Sequence, residues 1–232
     1  MGDLNYLNLA NRVIRRISRP VLTNTTGASG QEQIALDMVN EAQQYLVSIE
    51  NWYTLYTSRT FTTTASTATA AIPTDFGSCI DLVDTTNKRV LIEDNIRSID
   101  DADWGNSTTG TPTHFAILDT TYHFYPIPAG AYAIRERYWK RAEDMTNNTD
   151  TTDLPNFCDN MVILHAWAGM CEYLNKFSQA DRVRTMFNRE LASAIRRNRK
   201  TLDNMNVFQP TDGRYRANIP PLLPANYPRG NR

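Results

Sequence analysis

Glu50-Asn51-Trp52-Tyr53-Thr54-Leu55-Tyr56-Thr57-Ser58-Arg59-Thr60-Phe61-Thr62-Thr63-Thr64 is the stretch in which the texture of the chain changes. Before it, apolar residues recur at helical intervals. From residue 54 to residue 140 the chain is instead rich in threonine, β-branched and aromatic residues, broken by Pro, Gly and Asn. Such side chains suit a half-buried pleated surface. They predict short strands over 58–65, 68–72, 79–83, 89–92, 114–118, 122–125 and 132–139. Asp119-Thr120-Thr121 reads as a hairpin loop, and Ser98-Ile99-Asp100-Asp101 as the cap of a short helix ending near Trp104.

Helices are expected on both sides of this segment. Residues 3–19 predict one, capped by Asp3, with Leu4, Leu7, Ile14 and Ile17 on one face and Pro20 as its stop. Ser29-Gly30-Gln31-Glu32 has the spacing of a capping box. It opens a second helix to about Asn51, striped by Ile34, Met38, Ala42, Tyr45, Ile49 and Trp52. After the β segment, Leu154-Pro155 starts a third, with Phe157, Met161, Leu164, Ala168, Cys171 and Leu174 on one face. Ser178-Gln179-Ala180-Asp181 predicts a break. Val183, Met186, Phe187, Leu191, Ala194 and Ile195 then stripe a fourth helix ending near Leu202. Residues 205–232 hold five of the eleven prolines and read as an extended tail. The expected fold is α+β: a helical body from 1–54 and 141–204, an inserted small antiparallel β module at 55–140, and the tail at 205–232.

Composition narrows the function classes. A net charge of −1 makes the whole chain no magnet for nucleic acid. Three widely spaced cysteines, Cys79, Cys158 and Cys171, form neither a disulfide framework nor a zinc knuckle and fit a reducing compartment. The first residues lack a basic-then-apolar signal pattern and no window approaches a bilayer span, so no membrane role is expected. The sequons at Asn24, Asn106 and Asn147 then mean only threonine-rich loops. His165 has no carboxylate at i±3 or i±4, and His114 and His123 lie among aromatics on expected strands; all three read as packing residues. No metal-ligand spacing, phosphate loop or dinucleotide fingerprint occurs, so no cofactor and no metal are expected. Gly27-Ala28-Ser29-Gly30 lacks the strand and the second glycine position of a nucleophile elbow. The acids Glu93, Asp94, Asp100, Asp101 and Asp103 lack the spacing of a calcium loop and suit a turn and helix start. The chain is expected not to be an enzyme.

Two basic features remain. Arg12, Arg15, Arg16 and Arg19, at i, i+3, i+4 and i+7, share one face of the first helix. Arg182, Arg184, Arg189, Arg196, Arg197, Arg199 and Lys200 face only Asp181 and Glu190 in the last helix. Arg12, Arg15, Arg16, Arg19, Arg196, Arg197, Arg199 and Lys200 are the candidates for contact with neighbouring subunits, an acidic protein rim or DNA phosphates.

Taken in order, several pieces resemble the head-to-tail adaptor (connector) family of tailed bacteriophages. They are Glu50-Asn51-Trp52-Tyr53, Thr60-Phe61-Thr62-Thr63-Thr64, Ile72-Pro73-Thr74-Asp75-Phe76, Gly110-Thr111-Pro112-Thr113-His114-Phe115, Phe124-Tyr125-Pro126-Ile127-Pro128, Ile134-Arg135-Glu136-Arg137-Tyr138-Trp139 and Leu154-Pro155-Asn156-Phe157. One departure is Ala70, where an aromatic is more typical of the family. The resemblance implies a virion structural protein assembled in the host cytoplasm. It would form a homo-oligomeric ring of twelve between portal protein and a tail or nozzle protein, with double-stranded DNA passing through its centre. In that setting Phe208, Tyr215, Ile219, Leu222, Leu223 and Tyr227 become portal-docking anchors on the tail. Its 28 residues would span about 90 Å when extended, at roughly 3.3 Å per residue. The competing readings are another neck or tail-completion protein (a stopper or nozzle), a glycan-binding adhesin or hydrolase using the aromatics of 122–125 and 132–139, and a DNA-binding module. Glu136 is the one acid in those two strands, short of the carboxylate pair that glycoside hydrolysis needs.

Overall fold

The structure, a computed structural model, describes residues 3–105 and 107–205. Among them lie helices α1 (Tyr6–Arg16), α2 (Gln31–Ile49), α3 (Ile96–Ala102), α4 (Asp159–Tyr173) and α5 (Phe177–Asn204). The strands are β1 (Tyr56–Thr62), β2 (Thr69–Ala71), β3 (Phe76–Asp84), β4 (Arg89–Val90), β5 (Ile92–Glu93), β6 (Thr109–Gly110), β7 (His114–Leu118), β8 (Thr121–Tyr125), β9 (Ile127–Pro128) and β10 (Ala133–Lys140). The fold class is α+β. Among the described residues, contacts gather into two compact units: one joins residues 3–56 to residues 141–205, the other is Thr57–Lys140.

In the helical unit, α4 is apolar nearly all round. Nine of its fifteen residues are buried, among them Met161, Val162, Ile163, Leu164 and Ala168. A helix without a polar face belongs in the middle of a bundle, and α4 packs against α1, α2 and α5 alike. A Cβ on Gly169 would lie 2.6 Å from Met38 Sδ, so the bare glycine lets the α2 side chain lie against the α4 backbone.

The helix ends differ from the sequence expectations for local reasons. Asn5, not Asp3, caps α1, its Oδ1 accepting the Asn8 N–H at 2.9 Å. Ser18 at φ 61° stops α1 two residues before Pro20, which leaves Arg19 off the helix. The capping box does not form: Gly30 occupies the cap position, and the Glu32 N–H donates to the Ser29 carbonyl instead. Pro155 opens a short 3-10 turn, Asn156–Cys158, ahead of α4. The break before α5 comes from Asn175 at φ 57°, without a side-chain cap from Ser178. The buried stripe of α2 is Ala35, Leu36, Val39, Ala42, Gln43 and Leu46, while Tyr45 and Ile49 are exposed. Gln43 is fully buried because its amide bridges two backbone groups, donating to the Glu143 carbonyl at 2.7 Å and accepting the Asp153 N–H at 3.2 Å.

Two buried polar side chains tie distant segments of this unit together. Asn198 of α5 is 0% exposed; its Oδ1 accepts the Tyr53 N–H at 2.9 Å and its Nδ2 donates to the Asn51 carbonyl at 2.8 Å. Asn198→Ala orphans both backbone groups, each costing about 1–3 kcal/mol when left buried and unpaired. The expected loss is about 2–3 kcal/mol in urea unfolding, and a loss below about 0.5 kcal/mol would contradict the pairing.

Asp159, at the start of α4, accepts the backbone N–H groups of Asp3 and Leu4 at 2.9 Å each. Burial holds its carboxyl above the usual carboxylate range, against the lowering by those two bonds; neighbouring Asp3 adds to the rise. A raised folded-state value makes its favourable contribution complete below the unfolded value and lost as pH rises through the folded one. Asp159→Asn, which keeps an acceptor oxygen without the charge, is therefore expected to melt higher than the native chain at pH 7. The difference should vanish below about pH 4, near the value of an unperturbed aspartate. A native chain more stable at pH 7 would reverse the sign and refute the account.

The β unit holds two four-stranded sheets, ordered β1-β10-β3-β4 and β2-β8-β7-β5, and the pair β6-β9. Most pairing is antiparallel; β5–β7 and β6–β9 are short parallel ladders. β7 and β8 form a hairpin whose loop is Asp119-Thr120, with Asp119 at φ 54°. Leu82, Leu91, Phe115, Tyr122, Phe124 and Ile134 make its core, with Phe61, Phe76 and Tyr132 packed around them. Inside that core Glu136 of β10 is 0% exposed, and accepts Arg59 Nε–H and the Tyr122 hydroxyl at 2.6 Å each. Burial, then the bond to Glu136, raises the Tyr122 phenol. Ser98 lies inside α3, whose cap is Asn95, accepting the Ser98 N–H at 2.8 Å.

Candidate functional site

Histidine and cysteine are placed for packing. His165 stacks on Tyr45 at 4.4 Å between ring centroids and meets Phe187 edge-on at 5.3 Å. Burial lowers its imidazole, Arg184 lowers it further, and Glu41 and Glu172 oppose. His114 is buried with its Nδ1 2.8 Å from Thr113 Oγ1, and burial lowers it too. Burial raises the thiols of Cys79, Cys158 and Cys171, which keeps them protonated. Among the described residues no group of three or more His, Cys, Asp or Glu side chains is placed to hold a metal ion. The acids of 93–103 serve local structure: Asp103 accepts the N–H groups of Ser107 and Thr108, and Asp101 pairs with Arg97 at 3.8 Å. No described helix is long and apolar enough to cross a membrane.

The chemistry that remains is on surfaces of the helical unit. α5 packs on one side of α4, while α1 and α2 pack on others and touch each other. α5 therefore has two flanks, one toward α2 and one toward α1. On the first, His165 is packed between the Tyr45 and Phe187 rings; on the second, Trp167 lines an open groove. Two residues apart at 100° each, they point 200° apart around α4, so the two flanks lie on opposite sides.

The α1/α5 groove is cationic and aromatic. The Arg16 guanidinium lies over the Trp167 ring at 4.7 Å. Arg12 stands one turn before it, and burial, then Arg12, depresses Arg16, with Glu190 opposing. Across from them a depression of about 460 Å³ is lined by Trp167, Ser178, Gln179, Arg182, Val183 and Met186. Trp167 Nε1 is buried and has no acceptor among the described residues. Glu190 is occupied, accepting the Asn160 amide at 2.7–2.8 Å.

The α2/α5 flank carries the opposite sign. α2 contains Glu32, Asp37 and Glu41 and no Lys or Arg; α1 contains Arg12, Arg15 and Arg16 and no acid. Asp37 and Glu41 are exposed one turn apart, and Tyr45 follows, 44% exposed. Asp37 and Asp144 stand near enough to Tyr6 that they add to its burial in pushing the phenol up to about 12. The cations Arg184 and Arg199 on this side are each matched by an acid, Arg184 by Glu172 at 2.6 Å and Arg199 by Glu50 at 3.4 Å.

The other basic candidates divide. Arg197 lies over Phe157 at 4.4 Å and Arg199 pairs with Glu50 at 3.4 Å, so both brace the unit internally. Arg196 and Lys200 point outward on the same turns, as do Arg12 and Arg15 on α1 and Arg19 just beyond it. Phe208, Tyr215, Ile219, Leu222, Leu223 and Tyr227 lie outside the described residues. Trp167 escaped the sequence reading: a lone tryptophan in an apolar helix gives no sign that its ring floors a groove.

A family model described as SU10 adaptor protein matches residues 4–217, which takes in both units. A comparison with curated proteins found none that matches the chain.

Proposed function

This chain belongs to the SU10 adaptor protein family, a family of bacteriophage head-to-tail adaptors that places it in the virion neck, and from that membership we propose that it acts without catalysis as one subunit of a ring. The ring, of about twelve copies on the family's plan, sits between portal protein and a tail or nozzle protein, and double-stranded DNA passes through its centre. The observation that supports this reading is the pair of unlike flanks of the helical unit, one cationic and grooved beside Trp167, the other bordered by the acids of α2. A head-to-tail contact needs two different faces on each copy, and it closes into a ring when the rotation per copy divides the circle. A protein with one self-complementary face would make only dimers. Residues Arg15, Arg19, Arg196 and Lys200 are then free to meet the portal or the phosphates of passing DNA, as cations without sequence preference.

The tail supplies the grip on the portal. Its apolar anchors, Phe208, Tyr215, Ile219, Leu222, Leu223 and Tyr227, alternate with prolines. Each anchor buried in a partner's groove contributes about 1.5–3 kcal/mol, and proline lowers the entropy lost on ordering. Electron microscopy of the purified chain, alone and mixed with portal, tests the ring; single copies in both preparations would overturn it. Deleting 205–232 tests the tail, with portal affinity expected to fall at least tenfold, the equivalent of about 1.4 kcal/mol. Unchanged affinity would remove the tail from the docking account.

A further inference from the structure

We infer that the α1/α5 groove is the receptor for a second copy of this chain, which presents the acidic outer face of its α2 to it. The inference rests on the ring reading and names its subunit contact. Two observations converge. First, the signs are complementary and segregated: Arg12, Arg16 and Arg182 rim one flank, while Asp37 and Glu41 stand on the helix that borders the other, a helix without a single cation. Second, apolar surface on both sides of the contact is still exposed, Met186 at 51% beside the receptor groove and Tyr45 at 44% beside the acidic face. One α2 in one groove engages both flanks of every copy in turn, which is what a closed ring requires and what a DNA-binding role for the same arginines does not explain.

Charge reversal with complementation is the test, by sedimentation velocity on the full chain across a concentration series. R12E/R16E turns the receptor flank acidic, and D37K/E41K turns the presenting flank basic. Each variant alone sets like against like and is expected to self-associate at least tenfold more weakly than the native chain. An equimolar mixture restores one opposite-charge contact of each kind in alternating order, and should assemble within about threefold of native affinity.

The outcomes separate cleanly. A native chain that stays single at every concentration and with portal overturns the ring and this contact with it. A native chain that assembles, with both reversal variants assembling equally well, overturns the contact alone. Reversal variants that melt as the native chain but are not rescued by mixing also overturn it. If R12E/R16E loses binding to a DNA duplex while its self-association is untouched, the groove belongs to nucleic acid and the inference fails.

Discussion

Arg59→Met is expected to cost the β unit about 3–5 kcal/mol, the range for removing one partner of a buried ion pair. The reason is what the substitution leaves behind. Glu136 is 0% exposed, and its two acceptor bonds at 2.6 Å come from Arg59 Nε and the Tyr122 hydroxyl. Without the guanidinium the carboxylate keeps one neutral donor and no countercharge, among Phe61, Phe76 and Tyr122. Arg59 also donates to the Ala71 carbonyl at 2.6 Å and lies over the Phe61 ring, so it joins β1 to the end of β2. The side chain of Arg59 is 35% accessible, so solvent screens part of the attraction and the lower end of the range is the better expectation.

The companion substitution separates this cause from mere loss of packing. Glu136→Gln in the Arg59→Met background removes the buried charge and keeps an acceptor for Tyr122. It should recover most of the loss, because replacing both members of a buried pair is often close to neutral. Equilibrium urea unfolding of the two single variants and the double variant closes the cycle. Hydrogen exchange at the amides of β1, β3 and β10 should show the loss locally. A double variant as unstable as Arg59→Met alone would mean that the guanidinium acts through packing, and the ionic account would be wrong.

How far such features were legible in the sequence depends on the range of the force involved. β7 sits where its aromatic and β-branched residues and the following turn placed it, at His114–Leu118, and β8 begins one residue earlier than expected, since strand propensity and turn chemistry are local. β6 and β9 were not foreseen, because two-residue strands holding Gly110 and Pro128 carry no propensity signal; they exist through partners elsewhere in the chain. α2 was expected to bury Tyr45 and Ile49, and the hydrophobic pattern alone supports that. What turns the helix is Gln43, a polar residue whose burial makes sense only once Glu143 and Asp153 lie opposite. Asn198 hides in the same way inside the run Arg196-Arg197-Asn198-Arg199-Lys200, which reads as solvated yet contains a fully buried amide.

The candidate site divides along the same line. The arginine face of α1 was visible from spacing, and the structure keeps Arg12, Arg15 and Arg16 exposed on it. Arg19 left that face because Ser18 adopts a left-handed conformation, which a glycine would have announced and a serine does not. Two of the α5 cations, Arg197 and Arg199, stay exposed yet are engaged within the unit by Phe157 and Glu50. The groove beside Trp167 was beyond reach, because it depends on which helices flank α4.

Trp52→Ala is expected to destabilise the helical unit by about 3–5 kcal/mol, the usual cost of truncating a buried large aromatic. Trp52 is 0% exposed, and meets the edge of Phe157 at 6.2 Å between centroids. Its Nε1–H also donates to the Leu46 carbonyl at 2.8 Å. That carbonyl is in the last turn of α2, where backbone acceptors have no helical partner, so the indole both fills the core and closes the helix end. Truncation opens a cavity and strips the carbonyl together. Trp52→Phe separates the two, since it keeps most of the apolar volume and loses the hydrogen bond, for an expected cost nearer 1–2 kcal/mol. The same residue leads the chain from α2 into the Tyr53 amide held by Asn198. Loosening it should therefore release the face that carries Asp37, Glu41 and Tyr45, and assembly should fall with stability when the Ala variant is measured near its melting range. Urea unfolding that puts Trp52→Ala within 1 kcal/mol of the native chain would show that the end of α2 is held elsewhere, and would detach the acidic face from its support.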